Sequence, residues 1–171
     1  LRRLGAKLIV FTDASPDMEQ LLAAGAPAAD LLFGIDASPD RRDSGRWILA
    51  RPLPSPMPDY LGLSIVDNAE FGVHRRHSRA VEIDGLSYPT IEALAAARLN
   101  GSAGPMPAED SYLISYASGI AALPKTTLDR VIAGELVESL VRDRVVVIGS
   151  DTGASGARIY VPLFLESPWV S

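Results

Sequence analysis

The residues best placed to do chemistry follow the most apolar run in the chain, Arg144 to Gly149 (RVVVIG). They form the loop Gly149-Ser150-Asp151-Thr152-Gly153-Ala154-Ser155-Gly156. Its glycines let a ligand approach the backbone closely, and its hydroxyls and amides can hold an anion or a polar molecule. Open α/β sheets bind ligands at the carboxyl ends of their strands. Ser150, Asp151, Thr152, Ser155 and Arg158 are therefore ligand-binding candidates, together with Thr12 and Asp13 at the end of another apolar run, Lys7 to Thr12 (KLIVFT). A turn without a ligand explains the same residues more simply. The loop fits neither familiar phosphate code. G-x-G-x-x-G is absent, and Gly156 is followed by Ala157-Arg158 rather than Lys-Ser/Thr. Ile159-Tyr160-Val161 reads as extended chain, so no helix N-terminus follows to hold phosphate.

The other candidates are weaker. His74 and His77 flank Arg75-Arg76, whose charges repel a cation, and a third metal ligand is missing. A solvated hairpin face is the simpler reading of that segment. Ser150 or Ser155 as a nucleophile would need one of those histidines as base, and G-S-D-T-G lacks the G-x-S-x-G elbow. Asp13 and Asp17 are explained by turn formation and by the positive end of a helix. Trp169 beside Pro168 suits either a lipid interface or a packed tail. The expectation is a domain with no catalytic residues, no metal and no cofactor.

These residues need a scaffold, and 171 residues, 47% of them hydrophobic, suffice for one domain with a real core. A formal net charge of -5 argues against nucleic acid as a partner, since that requires clustered Lys and Arg. Cysteine is absent, which excludes disulfides and thiolate sites and suits an oxidising compartment. No segment reaches the roughly 20 apolar residues of a membrane helix. The chain starts at Leu1 without a signal-peptide pattern and reads as a piece of a longer protein.

Lys7 to Thr12 reads as a buried strand, and Ser15-Pro16 opens a helix with Met18, Leu21 and Leu22 on one face and Gly25 at its end. Leu31 to Ile35 is a buried run, either strand or helix, followed by a polar loop from Asp36 to Arg46. Trp47 to Ala50 reads as a strand, and Pro52, Pro54, Pro56 and Pro58 impose an extended connector. Leu61, Leu63 and Ile65 alternate as a strand, and Val73 to Asp84 reads as its antiparallel partner, with Val81 and Ile83 on one side. Asp84-Gly85 turns the chain into a helix bearing Ile91, Leu94, Ala95 and Leu99 on one face and stopped by Asn100-Gly101. Tyr112, Ile114 and Tyr116 alternate as a strand. A helix opened by Thr126-Thr127 buries Leu128, Val131 and Ile132 and ends at Gly134. Val145 to Ile148 reads as a strand covered on both faces, and Ile159 to Phe164 as extended. The fold class expected is α/β: a mixed, partly parallel sheet flanked by helices, with one antiparallel hairpin, in one domain over 1–171.

Five blocks in this order resemble the second class of CHASE domain, the cyclase and histidine-kinase associated sensory extracellular domain. They are Gly5 to Phe11; Gly62 to Asp67 with Gly72-Val73-His74-Arg75; Tyr88-Pro89 opening the long helix; Tyr116 to Thr127; and Val145 to Ser150 with Pro162-Leu163. The pattern departs at Ala157, where the family has aspartate, at Thr12 before Asp13, and at Glu70-Phe71 in the middle turn. The resemblance implies a domain on the periplasmic side of a bacterial inner membrane, within an integral membrane protein. Membrane helices would flank it, and a cytoplasmic cyclase, diguanylate cyclase or kinase would be its output. Its stimulus would be a small molecule or a physical signal, and a homodimer is one form such a module takes. Two other classes stay open: a soluble nucleotide- or small-molecule-binding α/β domain using the Gly149 to Gly156 loop, and a dimerisation module that senses nothing.

Overall fold

In the computed structural model, residues 1–12, 30–40, 42–43, 46–65, 76–101, 111–113, 124–149, 159–160 and 169–170 are described. Their strands are β1 (Leu8–Phe11), β2 (Leu31–Pro39), β3 (Trp47–Leu49), β4 (Leu61–Ile65), β5 (Arg76–Ser78), β6 (Ala80–Ile83), β7 (Leu86–Pro89), β8 (Ser111–Leu113), β9 (Val145–Ile148), β10 (Ile159–Tyr160) and β11 (Trp169–Val170). Two helices accompany them, α1 (Ile91–Asn100) and α2 (Leu128–Ile132). The chain is a mixed α/β protein with a mixed sheet.

β2 organises the main sheet. One of its edges carries β4, in parallel from Phe33↔Leu61 to Ala37↔Ile65. The opposite edge is shared end to end by β1, parallel, and β3, antiparallel. β9 adds in parallel outside β1, from Leu8↔Val145 to Phe11↔Ile148. The parallel order is thus β9-β1-β2-β4. On one face, Leu8, Val10 and Leu32 pack with Ile91 of α1. On the other, Phe33, Ile35, Leu61, Leu63 and Ile65 form the larger core, with Phe11 stacked on Phe33 at 4.9 Å between ring centroids.

Glycine at position 62 lets α1 sit directly on β4. A Cβ there would lie 2.8 Å from the Ile91 Cα and 2.9 Å from its backbone nitrogen. Thr90, fully buried, caps the helix: its hydroxyl accepts from the Ala93 amide at 3.4 Å and donates toward the Ser78 and Arg79 carbonyls, each at 3.2 Å. Gly101, with φ 70°, closes the other end. Thr90→Ala removes the cap and leaves two part-buried carbonyls without that donor, so urea denaturation is expected to show a loss of about 1–2 kcal/mol. Thr90→Ser keeps the hydroxyl and is expected to restore most of it.

Several sequence expectations are corrected. Asp36 to Pro39 extends β2 instead of opening a loop. Ladders on both sides, to β3 and β4, outweigh the poor strand propensity of Asp, Ser and Pro there. Among the described residues, the Leu61–Ile65 strand does not pair with 76–84. It pairs with β2, and the returning run divides into β5 and β6, with Val81 and Ile83 packed on the larger core as expected. Asp84 (φ 53°) and Gly85 (φ 76°) make a two-residue hairpin turn into β7, so Tyr88-Pro89 lies in a strand and Thr90 starts the helix. Ile132 is 76% exposed rather than buried, and Val131 is only partly covered. β9 is not covered on both faces: among the described residues it is an edge strand, with Val145 and Val147 exposed. β8 takes up Tyr112, and Ile159-Tyr160 pairs with Trp169-Val170. The expected helix after Ser15, the strand positions Ile114 and Tyr116, and the run from Val161 to Phe164 lie outside the described residues.

Candidate functional site

The carboxyl ends of β1 and β9 meet at Thr12. Its amide donates to the Ile148 carbonyl at 2.9 Å, and its hydroxyl donates to the same oxygen at 3.4 Å. Gly149 follows directly, and a Cβ there would lie 2.4 Å from the Thr12 Oγ1. On the other side, a Cβ at Gly34 of β2 would lie 2.4 Å from the Thr12 carbonyl oxygen. The end of β1 therefore fits between two glycines, Gly34 in β2 and Gly149 directly after β9.

This geometry follows from the strand order. Successive strands β1, β2 and β4 advance across the sheet in one direction, whereas β9 lies on the far side of β1. The chain reverses its direction of travel at the β1–β9 boundary. In open α/β sheets, crevices open at such a reversal beyond the carboxyl ends of the strands. Thr12 and Gly149 thus bring together the starts of two segments that are distant in sequence, one entering Asp13 and the other Ser150. Of the ligand-binding candidates, Thr12 is described. Asp13, Ser150, Asp151, Thr152, Ser155 and Arg158 lie outside the described residues. The role of Gly34 was not legible, because a glycine inside LLFGI carries no signal of a backbone crossing above it.

The histidine segment is also corrected. His77 does not lie on a solvated hairpin face: it is 6% exposed, and its Nε2 sits 3.2 Å from Oε2 of Glu92 in the first turn of α1. Its ring meets Tyr112 of β8 edge-on at 5.7 Å, and the Arg79 guanidinium lies 5.8 Å from the centre of the Tyr112 ring. Arg76 donates to the Ser111 hydroxyl at 3.2 Å. His77 thereby ties the β5–β8 pair to α1, a structural task. His74 lies outside the described residues. Among the described residues, no group of three or more His, Cys, Asp or Glu gathers as metal ligands, and no helix is long and apolar enough to cross a membrane.

No family model, curated protein or solved structure matches the chain.

Proposed function

We propose that this chain is the extracytoplasmic signal-input domain of a bacterial transmembrane receptor, controlling a cytoplasmic cyclase, diguanylate cyclase or kinase and performing no chemistry itself. The observation that carries this reading is the seating of Thr12 against Ile148 and Gly149, at the point where the strand order reverses. A stimulus held there would contact the chain leaving β1 and the chain leaving β9 at once. β9, like β3 and β4, pairs with a single strand among the described strands, and its exit leads into the Gly149 to Gly156 loop. A ligand that prefers one placement of that exit shifts the balance between two conformations by its differential affinity. The resemblance of the ordered blocks to CHASE domains supports the compartment and the output. The same reading expects helices on both faces of the sheet; α1 supports it for one face.

Compartment is tested by labelling. In the intact protein inside cells, Ile132→Cys adds one thiol at an exposed site of a cysteine-free chain. A membrane-impermeant maleimide applied to outer-membrane-permeabilised cells is expected to label it before lysis. Labelling only after lysis would sink the receptor reading. The Thr12–Gly149 geometry favours a second reading equally, a soluble small-molecule- or nucleotide-binding domain using the Gly149 to Gly156 loop. Labelling only after lysis, together with nucleotide binding by the purified chain, would favour that one.

A further inference from the structure

We propose that Asn100-Gly101, where α1 ends, is a self-modification site: the Gly101 amide attacks the Asn100 side chain and turns it into aspartate or isoaspartate. The chain has two asparagines, Asn68 before Ala69 and Asn100 before Gly101. Glycine lacks the side chain that would shield its own amide from attack. Both residues of the pair are exposed. Among the described residues, nothing beyond the neighbouring chain lies within 4 Å of where a Gly101 Cβ would stand. The Asn100 carboxamide has no hydrogen bond among the described residues to hold it in place. Asp84-Gly85 presents the same kind of amide, but a carboxylate is a poorer acceptor than a carboxamide.

The step needs only water. The Gly101 nitrogen bonds to the Asn100 Cγ, the Cγ–Nδ2 bond breaks, and ammonia leaves with the amide proton. Water then opens the succinimide ring at either carbonyl, giving aspartate or isoaspartate. The fold sets the rate. The Gly101 amide donates to the Ala97 carbonyl, with Gly101 at φ 70°, so the attacking nitrogen is engaged until the last turn of α1 opens. Helix ends open at far less cost than the whole chain. Either product places a negative charge at the negative end of the helix dipole, and isoaspartate also lengthens the backbone at the cap. The preceding residue, Leu99, packs on Leu8, Val10 and Leu32, so the change falls where α1 covers β1 and β2.

Peptide mapping of the purified chain, aged at mildly alkaline pH in buffer and in urea, tests this. Isoaspartate is expected at position 100 under both conditions. It should form more slowly in buffer, by less than about a hundredfold, because only a helix end must open. In Asn100→Gln, most of the isoaspartate in the chain is expected to vanish. No isoaspartate at position 100 in the folded chain would overturn the proposal, as would a slowing beyond that range, which would make global unfolding the gate. Equal rates in buffer and urea would overturn the control by the Ala97 cap, and undiminished isoaspartate in Asn100→Gln would assign the chemistry to Asp84-Gly85 instead.

Discussion

Gly62→Ala is expected to cost about 3 kcal/mol, the upper end for forcing one extra carbon into a packed contact. The added Cβ meets the Ile91 Cα and backbone nitrogen at 2.8 and 2.9 Å and the Leu94 Cδ1 at 2.9 Å. Leu94 can rotate away, but the backbone of Ile91 cannot, because Thr90 immediately before it is fixed to the Ser78 and Arg79 carbonyls. The helix must lift from β4 or the strand must bend. For a chain of this size, thermal unfolding should fall by roughly 6–12 °C. A change within about 1 °C would mean that α1 does not rest on β4 at Gly62.

Leu63→Ala carries the next large effect. Leu63 has 0% exposure in the larger core, among Phe33, Ile35, Leu61 and Val81. It also bridges to Thr90, so the strand beneath it is held and cannot collapse into the space left behind. Removing the buried side chain should cost about 2–5 kcal/mol in urea denaturation. Ile48→Ala is the control: Ile48 is 54% exposed on β3, and its loss should stay near 0.5 kcal/mol. Equal losses at the two positions would contradict the placement of the core on the β2–β4 side.

The elements most legible in the sequence are those whose signal is local. KLIVFT, LGLSI and RVVVIG formed strands, and Ile91 to Asn100 formed the helix that Gly101 ends. What could not be read depends on distant partners. Asp36 to Pro39 is strand because β3 and β4 flank it, and no residue within it announces that. A run of four apolar residues reads the same at the centre of a sheet and at its edge, so the position of β9 was hidden. Asp84-Gly85 did carry a hairpin signal, but the strong helix pattern after it drew the turn to the wrong element. His77 was read as solvated because its arginine neighbours are polar; its partners are distant, Glu92 fifteen residues on and Tyr112 on β8. At the candidate site, Thr12 and Gly149 could each be picked out as strand ends. Their meeting, and the part of Gly34 in it, required the strand order.

The ends of β1 and β9 abut at Thr12 and Gly149, and a double-mutant cycle measures that contact. Gly149→Ala places a Cβ 2.4 Å from the Thr12 Oγ1 and should cost about 1–3 kcal/mol. Thr12→Ala removes that oxygen and leaves the Thr12 Cβ at 3.6 Å, an ordinary contact. The double variant should therefore be more stable than Gly149→Ala alone, with a coupling of about 1 kcal/mol or more, as expected for residues in contact. Additive losses, within about 0.5 kcal/mol, would contradict the account, because residues that do not touch give that result.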